Sequence, residues 1–176
     1  MRKVVLLYGG ISGGVIIVSI IGTLTVWHSP QGSNVSEWLG YLIMVIALSS
    51  MFFGIKSYRD NHLGGVIRFR TALSVGLLIT LVASCAYVGV WELYLATSGQ
   101  NFIESYTSAH LERLKRDGAD EERLTAARAE MDNLKALYAN PLTRMAVTCV
   151  EIAPVGVVVA LICSLILKRS DVLPAT

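Results

Sequence analysis

The hydrophobic residues of this chain are concentrated in four long runs, which shorter polar segments separate. The runs cover 4–26, 38–55, 72–95 and 142–167, and each is near or above the roughly 20 residues that a helix needs to cross a bilayer. Because lipid offers no water to backbone groups, such segments form α-helices. The pattern therefore predicts an all-α membrane protein with four transmembrane helices.

The first run follows Arg2 and Lys3, and a basic start of this kind also precedes the apolar part of a signal peptide. That apolar part is only about 7–15 residues long and leads to a small-residue cleavage site. The run at 4–26 is longer, and Trp-His-Ser-Pro follows it at 27–30. We therefore expect the first helix to be retained.

The polar segment at 96–141 keeps the three- and four-residue spacing of apolar positions that is typical of helices. It predicts one helix at 101–116 and a second that ends near Tyr138. Gly118 is placed to end the first helix, and Asp120 is placed to cap the second. The two predicted apolar stripes are Ile103, Tyr106, His110 and Leu114, then Leu124, Ala127, Met131, Leu134 and Tyr138.

The basic residues of the short polar segments predict the orientation, because Lys and Arg are retained on the cytoplasmic side. These basic residues occur before the first run, between the second and third runs, and after the fourth run, whereas the loop at 27–37 has none. Both termini are therefore expected in the cytoplasm and the 96–141 hairpin in the periplasm. The basic residues are Arg2, Lys3, Lys56, Arg59, Arg68, Arg70, Lys168 and Arg169, and the aromatics predicted at the external membrane boundary are Trp27, Trp38, Trp91 and Tyr94.

This topology predicts three parts. Residues 1–95 hold the first three spans and a basic cytoplasmic loop at 56–70, residues 96–141 form the external hairpin, and residues 142–176 hold the fourth span and a short tail.

The amino-acid composition agrees with a membrane protein and limits the functions to be expected. Charged residues make up 16% of the chain, against about 25% in soluble domains, and the net charge is only +2. Such a small charge does not favour nucleic-acid binding.

The three cysteines lie singly in apolar runs, which indicates free thiols rather than disulfides. The histidines fall in three separate segments, and no HExxH, GxSxG or nucleotide motif occurs, so we predict no catalytic residue, metal or cofactor and no enzyme activity.

Two acidic residues lie within the apolar runs, Glu92 and Glu151, and Pro154 follows the second. A carboxylate in hydrocarbon costs about 2.5–3.5 kcal/mol, so such residues are candidates for a proton or cation site. The structural alternative for Glu92 is contact with lipid headgroups. For Glu151 it is pairing with a hydroxyl or with Arg144, while Pro154 is placed to kink the helix.

The first run is rich in glycine. Gly9 with Gly13, and Gly10 with Gly14, have the small-xxx-small spacing that lets membrane helices approach closely. Tight packing within one chain explains this spacing, and so does a homo-oligomer interface.

The loop at 56–70 carries most of the remaining candidates. Its basic residues are explained by topology and are also suited to anionic lipid headgroups. Gly64 and Gly65 permit a sharp turn, but no phosphate-binding loop motif is present. The candidate residues of this loop are Lys56, Arg59, Asp60, Gly64, Gly65, Arg68 and Arg70.

Several stretches resemble the bacterial domain-of-unknown-function family numbered 4199. They are Gly54–Asp60 (GIKSYRD), Leu63–Phe69 (LGGVIRF) with Ala72 and Gly76 after it, and Glu151–Gly156 (EIAPVG). The order of three spans, a charged helical segment and a fourth span is also similar. The resemblance implies a four-span bacterial inner-membrane protein and brings no assigned activity.

Three functions remain open at this point. The first is a non-enzymatic, self-associating interaction or scaffold protein, whose contact surfaces are the glycines of the first run and the hairpin, the latter for another envelope protein. The second is a small proton- or cation-coupled carrier or channel that works as an oligomer and uses Glu151, with Glu92 as a further candidate. The third is an envelope sensor that relays a signal from the hairpin to the 56–70 loop.

Overall fold

The structure is a computed structural model that describes residues 1–27, 37–97, 102–169 and 172–173. Within these residues the regular secondary structure is entirely α-helical, which confirms the predicted fold class for this part of the chain. The helices are α1 (Arg2–Trp27), α2 (Glu37–Leu48), α3 (Ser50–His62), α4 (Phe69–Thr97), α5 (Phe102–Arg116), α6 (Glu121–Ala139) and α7 (Pro141–Leu167).

By length and composition, four helical stretches of the described chain are able to cross a membrane, in agreement with the predicted spans. They are Arg2–Gly22, Leu39–His62, Phe69–Thr97 and Pro141–Leu167. Only 33–39% of the most apolar part of each stretch is buried within the chain. Most residues of each stretch therefore keep some accessible surface, as expected for helices surrounded by lipid.

The chain divides into two compact units. The first, which we call the bundle unit, comprises 1–89 and 150–176. The second, which we call the helix-pair unit, comprises 90–149. The bundle unit contains α1, α2, α3 and most of α4 and α7, whereas the helix-pair unit contains α5, α6 and the adjoining ends of α4 and α7.

The bundle unit has one continuous apolar core to which all of its helices contribute. Its fully buried members include Leu48 and Met51, on either side of the α2–α3 junction, together with Ile55, Ile79 and Ile152, all at 0% exposure. The three cysteines are free, and Cys163 packs in this core as a small apolar residue.

The second span is broken at Ser49 into α2 and α3. The Ser49 hydroxyl donates to the carbonyl of Val45 at 2.6 Å, and the Phe52 N–H donates to the carbonyl of Ser49 at 3.0 Å in a tightened turn. Serine hydroxyls that bond one turn back bend helices. The Ser50 hydroxyl then lies 2.7 Å from that of Ser12, so the break coincides with a polar contact between α3 and α1.

The α3 helix continues to His62, so residues 56–62 are helical rather than part of the loop predicted at 56–70. A Lys56–Asp60 pair supports this extra length, because residues four apart share a helix face. The helix ends where Gly64 and Gly65 adopt φ values of +64° and +86°. The Gly65 N–H then donates to the carbonyl of Arg59 at 3.1 Å, a bond that closes the end of the helix.

In the helix-pair unit, α5 and α6 pack against each other and their predicted limits are confirmed to within a residue or two. Gly118 has φ +77°, and its neighbour Ala119 donates its N–H to the carbonyl of Leu114. Asp120 caps α6 by accepting the N–H of Arg123 at 2.9 Å. The buried face of α6 consists of Leu124, Ala127 and Met131, as its stripe predicted.

Candidate functional site

Glu92, near the end of α4, forms an ion pair with Arg144 in the first turns of α7, and both belong to the helix-pair unit. Arg144 Nε donates to Glu92 Oε1 at 2.7 Å, and Arg144 Nη2 donates to Oε2. Arg144 Nη1 also donates to the carbonyl of Tyr138 at 3.0 Å, which ties in the end of α6. A two-pronged arginine–carboxylate contact of this kind fixes geometry as well as charge. The pair therefore provides a structural reason for the acid at position 92.

An aromatic cluster lies beside this pair in sequence. Trp91 is only 9% exposed, its ring is 4.9 Å from that of Phe102, and Tyr94 stacks on it at 5.6 Å. Trp91 is thus a core residue of the helix-pair unit. The other aromatic side chains predicted at the external membrane boundary, Trp27 and Trp38, lie outside the described side chains.

Glu151 lies in α7 within the bundle unit and is exposed on the surface of the chain. The Tyr87 hydroxyl of α4 donates to Glu151 Oε2 at 3.3 Å. The alternative pairing with Arg144 is wrong, since Glu92 occupies that guanidinium. Of the two structural alternatives, pairing with a hydroxyl is confirmed. Pro154 is also exposed, and α7 continues through it without interruption.

Two buried hydroxyls of the bundle unit bond to their own helices. Thr80 Oγ1 donates to the carbonyl of Gly76 at 3.1 Å, and Ser164 Oγ donates to that of Ala160 at 2.6 Å. Their hydrogens are therefore engaged within the helix, while their oxygen lone pairs are not used in these two bonds.

The glycines of α1 have two different environments. A methyl group added at Gly9 would lie 2.6 Å from Val82 Cβ, and one added at Gly13 would lie 2.9 Å from Ala86 Cβ. These two glycines therefore let α1 pack closely against α4 within the chain. At Gly10 and Gly14 an added methyl group would meet no atom within 4 Å. The four glycines thus form a closed pair and an open pair.

Two glycines of α4, Gly76 and Gly89, do not contact α1. Gly76 of α4 faces α7 instead, where an added methyl group would lie 2.9 Å from Ala160 Cβ. Gly89 has open space around it. Gly156 of α7 is the tightest described position, since an added methyl group would lie 2.1 Å from Thr80 Cγ2.

The basic residues predicted in the 56–70 loop divide into a buried group and an exposed group. Arg59 has 0% exposure, whereas Arg68 and Arg70 are exposed. Arg59 Nε donates to Asp60 Oδ1 at 2.7 Å, and Lys56 Nζ donates to Asp60 Oδ2 at 2.5 Å. One carboxylate thus serves two cations.

The segment after α7 completes the environment of Arg59. Arg59 Nη1 donates to the carbonyl of Val172 at 2.9 Å, and Nη2 donates to that of Leu173 at 2.5 Å. We call Lys56, Arg59, Asp60 and these two carbonyls the Arg59 cluster. Sequence reasoning missed the contribution of the tail, because backbone acceptors more than 110 positions away leave no pattern in the sequence.

Across the described ranges, no three His, Cys, Asp or Glu side chains are grouped so that they could hold a metal ion. His28 lies outside those ranges.

The all-helical architecture and the long apolar helices of the described residues place the chain in the class of helical membrane proteins, with four candidate spans. A family model described as "Protein of unknown function (DUF4199)" matches residues 7–169. Because this match covers most of the chain, the chain belongs to that family, as the sequence resemblance predicted. No curated protein and no solved structure shows a significant match.

Proposed function

We propose that this chain is a non-enzymatic, self-associating interaction protein of the bacterial inner membrane. In this proposal both termini face the cytoplasm, and the α5–α6 pair lies in the periplasm as a second contact surface for another envelope protein. The charge distribution of the short segments supports this orientation.

The open glycine pair of α1 carries the proposal. An added methyl group at Gly10 or Gly14 would have no atom within 4 Å, whereas Gly9 and Gly13 on the same helix pack against α4. Exposed apolar side chains flank the open pair, among them Leu7, Ile11 and Val18. In membranes, helices associate where small residues permit close backbone contact. A second copy of α1 fits this open face.

The matched pair Gly10→Leu and Gly40→Leu tests the proposal. Gly40 lies in α2 and is also open, so the Cβ atom of each leucine meets no other atom within 4 Å. We expect wild type and Gly40→Leu to form a defined oligomer in lipid nanodiscs by native mass spectrometry, and Gly10→Leu to be monomeric. A monomeric wild type, or an unchanged oligomer in Gly10→Leu, contradicts the proposal. Gly13→Leu is unsuitable, because it would collide with Ala86 and disturb the fold itself.

A proton- or cation-coupled carrier or channel is the second candidate, and the environment of Glu151 favours it. This acid is exposed within an apolar span, and its described hydrogen-bond partner, Tyr87, is a neutral hydroxyl. A carboxyl group in that setting is suited to exchange a proton or cation within an oligomer. Glu92 is less suited, since Arg144 already neutralises it.

Proteoliposome flux measurements separate this candidate from the first. Glu151→Gln should abolish a proton or cation flux if the carboxyl group carries it, while helicity and oligomeric state stay unchanged. Flux equal to wild type in Glu151→Gln excludes the carrier.

A further inference from the structure

The Arg59 cluster combines a fully buried guanidinium with acceptors that do not balance its charge. Among the described residues, the Asp60 carboxylate is shared between Arg59 and Lys56, and the two remaining acceptors are neutral carbonyls. These described groups together carry one net positive charge. A buried cation is stabilised far better by an anion than by a neutral acceptor.

Two tail carbonyls accept hydrogen bonds from the two terminal nitrogens of Arg59. Arg59 Nη1 and Nη2 each donate to a different oxygen, at 2.9 Å and 2.5 Å, and those oxygens belong to consecutive residues, Val172 and Leu173. The planar guanidinium is suited to hold two oxygens of one phosphate in this two-pronged manner. A phosphate that replaced the two carbonyls would use the same two Arg59 nitrogens.

The backbone of the tail opposes this contact. Leu173 has φ +49°, a left-handed conformation that is unfavourable for a non-glycine residue. Its side chain is 54% exposed, so little burial compensates for that cost. The tail is therefore an acceptor that a better ligand is able to displace.

The position of the cluster indicates where such a ligand comes from. Arg59 lies in the last turn of α3, at the end of the candidate span Leu39–His62. Lipid phosphates lie at the ends of membrane spans, and anionic lipids attract basic residues there.

We propose that Arg59, with Lys56, is a binding site for the phosphate of an anionic lipid headgroup, and that the chain's own tail caps this site in the present structure. Displacement of the tail opens the site. This inference is independent of self-association through α1, because it uses neither α1 nor the α5–α6 pair.

The pair Leu173→Pro and Leu173→Gly tests the cap without altering charge or length. Proline fixes φ near −65° and so forbids the observed conformation, whereas glycine accepts φ +49° readily. Each variant, with wild type, is released from nanodiscs of phosphatidylglycerol and phosphatidylcholine and analysed by native mass spectrometry. We expect Leu173→Pro to retain about tenfold more phosphatidylglycerol than Leu173→Gly, as for a gained hydrogen bond to a charged group. Equal retention by the two variants overturns the proposal.

Substitutions of Arg59 in the Leu173→Pro background test the two-pronged contact. Arg59→Gln should remove the gain, and Arg59→Lys should remove most of it, because lysine keeps the charge but lacks the planar fork. A gain that survives in Arg59→Lys indicates unspecific charge attraction and overturns the site. Circular dichroism and oligomeric state verify that each variant is folded.

Addition of millimolar inorganic phosphate to the Leu173→Pro variant distinguishes the two sources of phosphate. Unchanged phosphatidylglycerol retention supports the lipid headgroup. Replacement of the lipid adducts by phosphate adducts overturns the lipid assignment and indicates a soluble phosphate ligand.

Discussion

In the bundle unit, neighbouring helices pack closely at glycines. In the helix-pair unit, an ion pair and a helix cap hold the helices in place. In the bundle unit, Gly9, Gly13, Gly76 and Gly156 each lie against a neighbouring helix with no room for a methyl group. In the helix-pair unit, the Glu92–Arg144 pair joins the ends of α4 and α7, and Asp120 begins α6.

This difference follows from the surroundings of the helices, since the long apolar helices are suited to lipid and the more polar helices are not. Between apolar helices in lipid there is little hydrophobic driving force, so close packing through small residues provides the attraction. The short helices α5 and α6 are more polar and depend on caps and specific pairs to define their ends. Substitutions that add volume should therefore disturb the bundle unit, and substitutions that remove a polar group should disturb the helix-pair unit.

The largest effect is expected for Gly156→Ala in the bundle unit. The added methyl group would lie 2.1 Å from Thr80 Cγ2, so α7 and α4 must separate. Overpacking of this kind costs about 3 kcal/mol. The measurement is thermal unfolding in detergent, with Gly10→Ala as the control, because that methyl group meets open space. A Gly156→Ala protein as stable as Gly10→Ala would contradict the close approach of α4 and α7.

A smaller loss is expected for Glu92→Gln in the helix-pair unit. The amide keeps the shape of the carboxylate but leaves the half-buried Arg144 guanidinium without its counter-charge. Loss of hydrogen bonds to a charged group costs about 2 kcal/mol. Hydrogen exchange of the α6 and early α7 amides should accelerate, while Glu130→Gln, which removes an exposed acid of α6, should leave exchange unchanged. Equal exchange in both variants would mean that the ion pair does not stabilise this unit.

The smallest effect is expected for Asp120→Ala, which removes the N-cap of α6. The Arg123 N–H loses its acceptor, at a cost of about 1 kcal/mol. Faster hydrogen exchange confined to the first turn of α6 is the expected result. Asp117→Ala is the control, because Asp117 lies exposed in the same connection and does not cap the helix. A matching change in Asp117→Ala would indicate a general charge effect rather than capping.

The sequence predicted the features that depend on neighbouring residues. The long apolar runs have one solution in lipid, so the spans followed, and Gly118 with Asp120 defined the α5–α6 connection. The acceptors of Arg59 and the partner of Glu92 were not predictable, because they come from distant parts of the chain. The pairing of Arg144 with Glu151 was the nearest in sequence and was wrong, since seven positions of one helix separate the two residues by about 10 Å and Arg144 pairs with Glu92 instead.

The glycine spacing illustrates the same limit. The small-xxx-small pattern correctly marked α1 as a packing helix, but two registers of the pattern overlap at Gly9–Gly13 and Gly10–Gly14. Only the rotation of α1 against α4 decides which pair is used within the chain. That rotation depends on the side chains of both helices, such as Val82 and Ala86, and not on α1 alone.

The central place of α4 has a consequence for the order of biosynthesis. Gly9 and Gly13 of α1 lie against α4, Gly54 of α3 lies against Ile79 of α4, and Gly156 of α7 lies against Thr80. Chains are synthesised from the N-terminus, so α1 and α3 enter the bilayer before the helix that fills their grooves exists. Until α4 leaves the insertion machinery, the Gly9–Gly13 face of α1 therefore lacks the helix against which it packs. During that interval the nascent chain presents to chaperones and neighbouring proteins a surface that the finished protein conceals.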